Sequence, residues 1–153
     1  MEKELATAVP LELWKDPQGD IILVYSEREC SIYFGCWEEP GNPADYICRL
    51  KFQRALGVRS YPHEYHPFSL VGQKTCSDIY EVTDSKWHAE RAAYWQHLTD
   101  RFYDKRRRPF SAKHFVIIGH DSYHEILAES FEQVKIFKNE VREERLKALL
   151  MNT

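Results

Sequence analysis

Apolar and polar positions along the first third of the chain alternate or cluster as strands do. Residues 20–27, DIILVYSE, are apolar and β-branched, and residues 30–38, CSIYFGCWE, repeat that character after Arg28 and Glu29, so the two segments are expected to form a β-hairpin. Residues 39–45, EPGNPAD, concentrate proline and glycine and read as a loop. In 46–52, YICRLKF, Tyr46, Cys48, Leu50 and Phe52 alternate with Ile47, Arg49 and Lys51, which predicts a third strand with one mostly polar face.

Residues 54–77 carry no sustained period, and two prolines fall within SYPHEYHPFSLVGQ, so a long irregular connection is expected. A short strand is predicted over 78–82. Asp84 or Ser85 then caps a helix running to about Phe102, with Trp87, Tyr94, Leu98 and Phe102 along one stripe. Pro109 cannot continue that helix, and the basic turn DKRRRPFS follows it. Residues 114–119, HFVIIG, are predicted as a buried strand.

Two local readings compete for the segment after that strand. Ser122 and Glu125 fit the S-x-x-E capping box, and Tyr123, Ile126, Leu127, Phe131, Val134 and Val141 recur at helical spacing, so a capped helix is favoured. The rival is a β-hairpin turning at Asp121 and Ser122, which would want a cleaner alternation over 123–128. Residues 138–150 are expected to be a charged helix on either reading. The expected architecture is one α+β domain over 1–153: a polar leader at 1–10, and an antiparallel or mixed sheet packed against the 85–102 helix and a C-terminal helix.

Composition changes this picture little. The chain has 153 residues, enough to bury a core without staples, and 29% charged with 43% hydrophobic residues is ordinary globular usage. A formal net charge of −3 gives no general attraction to nucleic acid or anionic lipid. The N-terminus mixes acids and bases without the apolar stretch of a secretory signal, and no window resembles a membrane span, so a cytoplasmic protein is expected. Cys30, Cys36, Cys48 and Cys76 form no CxxC pair and are expected as reduced, mostly buried thiols.

Metal binding is the sharpest chemical hypothesis. His63, His66, His120 and His124 offer enough imidazoles for zinc or another divalent cation, but neither pair has the H-E-x-x-H spacing, so no metal is expected unless the four converge. There is no G-x-S-x-G turn, and Asp121, Ser122 and His124 are too close in sequence to read as a triad. None of the cysteines has a nucleophile signature. The six glycines form neither phosphate-binding pattern. Lys105 to Arg108, with Arg101 one turn earlier, are better explained as cations at a helix C-terminus than as a nucleic-acid track. Most of the 21 aromatic residues belong in a core, but Tyr61, Tyr65 and Phe68 lie in a proline-containing segment beside His63 and His66. Tyrosine-rich segments suit partner surfaces. The expected function is therefore a non-catalytic interaction module that binds another protein through 61–68. The alternative is a small metal-dependent or acid–base enzyme built on the four histidines.

Overall fold

The structure, a computed structural model, describes residues 2–62, 65–73, 79–102 and 109–141. Among these, eleven strands form two sheets and one α-helix packs outside them, so the chain is mainly β rather than α+β with two covering helices. The strands are β1 (Glu4–Val9), β2 (Trp14–Lys15), β3 (Ile21–Tyr25), β4 (Cys30–Glu39), β5 (Asn42–Gln53), β6 (Gly57–Tyr61), β7 (Phe68–Val71), β8 (Ile79–Thr83), β9 (Lys113–Ile118), β10 (Tyr123–Ala128) and β11 (Ser130–Phe137). The helix α1 spans Lys86–Phe102.

One sheet has the order β6-β10-β9-β8-β1-β7, antiparallel except for the parallel β1–β7 pair. The second has the order β11-β5-β4, and both β2 and β3 pair with β4. Alternation decides which side chains meet between the sheets. Cys30, Ile32, Phe34 and Cys36 of β4 and Cys48, Leu50 and Phe52 of β5 face Ile79, Phe115, Ile117, Ile126 and Ala128 of the larger sheet in one buried cluster. Phe52, Phe115 and Phe131 close its end, with ring centroids 5.3–5.8 Å apart. The predicted strands of the first third thus fall where expected, although β4 and β5 run on through most of the predicted 39–45 loop.

Two paired strands pass together from sheet to sheet. Leu56 N donates to Leu127 O at 2.7 Å on one side of the crossing, and Glu129 N donates to Gln53 O at 3.0 Å on the other. Arg54 turns the corner with φ 49°, and its guanidinium reaches Glu129 at 2.7 Å and the Pro109 carbonyl at 3.0 Å. The helix starts where predicted: Ser85 Oγ accepts the His88 amide at 3.0 Å, and Ser85 O accepts that of Ala89. Only its first turn is deeply seated, because Trp87 is buried while Tyr94, on the expected apolar stripe, is exposed. Trp87 lies so close to β6 that a Cβ at Gly57 would stand 3.1 Å from its ring.

Four expectations are corrected. Residues 123–128 are not a capped helix but strand β10, joined to β9 by a turn in which Gly119 N donates to Ser122 O at 2.7 Å. Every residue of β10 is buried, because the second sheet covers one face and α1 with an aromatic cluster covers the other. A strand covered on both faces has no polar face to reveal its period. The helical spacing that continued through Phe131 and Val134 belongs to β11, followed by a 3-10 turn at Lys138–Glu140. The rest of the expected C-terminal helix lies outside the described residues, as do Cys76 and Lys105 to Arg108. Residues 4–9, expected within a polar segment outside the sheet, form β1 between β7 and β8 with Ala6 fully buried. Finally, the supposed irregular connection contains β6 and β7, whose shortness hid their alternation.

Cys30, Cys36 and Cys48 are unbridged and buried. Burial pushes the Cys30 and Cys36 thiols up to about 12 and raises Cys48 as well, which keeps all three in the inert thiol form. No helix among the described residues is long and apolar enough to cross a membrane. Because Ile126 stands in the sheet-to-sheet core, Ile126→Ala should lower the free energy of unfolding by about 2–5 kcal/mol. Tyr94→Ala on the exposed helix face should change it by no more than about 0.5 kcal/mol. Urea denaturation of the two variants checks the assignment of β10 to the core, and similar costs would refute it.

Candidate functional site

The outer face of the larger sheet carries two adjoining groups of functional side chains. Glu125 points outward from β10, opposite Arg59 of β6 and Val116 of β9, and is 2% exposed. A carboxylate so placed must be hydrogen-bonded. His114 Nε2 lies 2.8 Å and Arg59 Nη2 2.7 Å from its Oε1. Burial by itself would raise the Glu125 carboxyl, but the hydrogen bonds from His114 and Arg59 and the Arg59 charge hold it below the usual carboxylate value.

His114 is 1% exposed and passes the chain on: its Nδ1 is 2.6 Å from Ser85 Oγ. An ionised carboxylate only accepts, so Nε2 carries a hydrogen, and in the neutral imidazole Nδ1 is then the acceptor. In that tautomer Ser85 Oγ–H donates to Nδ1 while the same oxygen accepts the His88 amide. Trp87 stands edge-on to the imidazole at 5.1 Å and takes the Arg59 guanidinium on its face at 4.1 Å. One cap residue thereby fixes helix, imidazole and buried carboxylate at once.

The second group is aromatic. Tyr61 stacks on Tyr123 with centroids 5.1 Å apart, His66 stacks on Phe68 at 6.1 Å, and Tyr123 meets both His66 and Phe68 edge-on. Phe68 and Tyr123 are buried, Tyr61 is exposed and Tyr65 is 75% exposed. Phe68 also touches His114 edge-on at 5.9 Å, joining the two groups.

Of the residues singled out by sequence, Tyr61, His66 and Phe68 are brought together, Tyr65 lies beside them in the chain, and His63 falls outside the described residues. The other histidines do not join them. His120 is exposed in the β9–β10 turn, 3.0 Å from the Asp121 carboxylate. His124 faces the opposite side of the sheet, where Nδ1 meets Ser60 Oγ at 2.8 Å and Nε2 meets Ser122 Oγ at 3.3 Å. No group of three or more His, Cys, Asp or Glu able to hold a metal ion occurs among the described residues. Sequence reasoning recognised Ser85 and Glu125 only as capping residues, the latter of a helix that does not form, and missed His114 and Arg59. The available signal was an ionisable residue within each of two largely apolar strands, His114 in KHFVII and Glu125 in YHEILA, since a charge buried there demands a partner. No protein family, curated protein or solved structure matches this chain.

Two measurements follow. Ser85→Ala removes both the cap and the donor to His114, and should cost about 1–3 kcal/mol in chemical denaturation, whereas Ser85→Thr should retain most of it. Burial, with the Lys15 charge adding to it, draws the His124 pKa from 6.5 down to about 4. The unfolded chain then takes up the proton first, so stability present above 6.5 is lost as pH falls toward 4, on the order of 3 kcal/mol in all. His66 is lowered in the same direction by burial and by Lys3. The informative comparison is therefore the wild type against His124→Leu, whose stability should decline much less over that window. Parallel declines would refute the assignment.

Proposed function

We propose that this chain is an interaction module that binds another protein through the aromatic shelf of Tyr61, Tyr65 and His66, backed by Phe68 and Tyr123. The observation that carries this reading is the stacking of Tyr61 on the buried Tyr123 ring at 5.1 Å, which holds an exposed aromatic in place before any partner arrives. Preorganised aromatic area binds at low entropic cost, since little side-chain freedom is left to lose. Edge strand β6 delivers Tyr61, and Tyr65 and His66 precede the opposite edge strand, β7. The separation of His66, His120 and His124 supports this role over a metal enzyme built on those residues.

The test is photocrosslinking from position 65 in cells, followed by titration of the captured protein against purified variants. Tyr61→Ala combined with Tyr65→Ala should weaken binding at least about tenfold, and Tyr94→Ala on the exposed helix should leave it unchanged. If the double variant binds as the wild type does, the shelf is not the interface.

A further inference from the structure

Strands β8 and β9 pair only at Tyr80 with Val116 and at Glu81 with Phe115. Beyond that point they part, and an open cleft of about 630 Å³ lies between Val82–Ser85 on one side and Ala112–His114 on the other. Ser85, His88 and His114 line it. The cleft therefore meets the buried hydrogen-bond chain at its hydroxyl end, where Ser85 Oγ contacts His114 Nδ1 at 2.6 Å.

We propose that this cleft is an acyl-transfer site for small carboxylic esters, with Ser85 as nucleophile, His114 as its general base, and Glu125 and Arg59 as positioning residues. With His114 neutral, the hydrogen-bond polarity is the one the chemistry requires: a carboxylate orients the imidazole through one nitrogen, and the other nitrogen, without hydrogen, receives the serine proton. The two ring nitrogens are interchanged relative to the common serine hydrolase order. General-base action requires only that the bare nitrogen face the hydroxyl. Ser85 Oγ has two lone pairs, and the His88 amide at 3.0 Å occupies one, leaving the other for a carbonyl carbon.

In the forward step Ser85 Oγ bonds to the ester carbonyl carbon and its proton passes to Nδ1. The imidazolium is stabilised through Nε2–H by the Glu125 carboxylate. The tetrahedral adduct then collapses, the C–O bond to the alcohol breaks, and Nδ1 returns the proton to the departing oxygen. Water attacks the acyl-serine by the same relay and releases the acid, so ester and water give acid and alcohol. Negative charge on the adduct develops at the N-terminus of a 17-residue helix, where the Glu4 carboxylate that the Lys86 amide holds at 2.9 Å has to give way to it.

The full chain should be incubated with a fluorophosphonate probe and mapped by peptide mass spectrometry. A single adduct on Ser85 is expected, together with hydrolysis of p-nitrophenyl acetate. In His114→Gln the labelling rate should fall by about 100-fold or more. In Glu125→Gln it should fall about tenfold, with a displaced pH profile, because a group that only filled space would not move that profile. The wild-type result stands whether or not the variants fold. Absence of any Ser85 adduct on the folded wild type overturns the proposal, and so does labelling that a folded His114→Gln protein retains at the wild-type rate. Neither outcome bears on the aromatic shelf.

Discussion

Glu125 is an ionisable group on a strand covered on both faces, and the cost of leaving its charge unpaired dictates much of what surrounds it. An isolated buried carboxylate is so unfavourable that it neutralises or acquires partners, and here it acquires Arg59 and His114. Arg59 must then come from the neighbouring strand β6, which fixes that strand's register at the sheet edge. His114 needs a partner for its remaining nitrogen, and the helix cap supplies it. The position of α1 is thus set less by an apolar stripe than by one serine and one tryptophan at its start.

The same outer face divides the larger sheet into two chemical regions joined through Phe68. Toward Tyr61 and Tyr123 the surface is aromatic and partly exposed, suited to contact with a partner. Toward Ser85 it is polar, buried and open to a cleft. Both depend on the inner face being ordinary: Ile79, Phe115, Ile117 and Ile126 anchor the sheet against β4 and β5, and the double crossing at Arg54 and Glu129 keeps the sheets in register. A rigid sheet lets side chains from four elements meet within hydrogen-bonding distance.

The histidines show how topology separates what sequence places together. His120 and His124 are four residues apart, yet one is exposed in a turn and the other is buried between two serines on the inner face. His124 and Glu125 are adjacent and point to opposite sides of the sheet, since successive residues of a strand alternate. His114, eleven residues from Glu125, is the imidazole that reaches it.

Local physics determined part of this protein from its sequence. The hairpin over 20–38, the strand at 46–52 and the helix start at Ser85 were legible because alternation, turn residues and capping act between near neighbours. The aromatic shelf was legible in part, as tyrosines and histidines crowded near two prolines. Tertiary structure decided the rest. β10 could not be told from a helix because burial on both faces erases the polar half of the pattern, and Ser122 and Glu125 satisfy the spacing of a cap they do not form. β1, β6 and β7 are strands because of what lies beside them, since segments of only four to six residues have weak preferences of their own. The relay joins Ser85 to His114 across 29 residues and Arg59 to Glu125 across 66, distances over which only the pairing of strands brings the groups together.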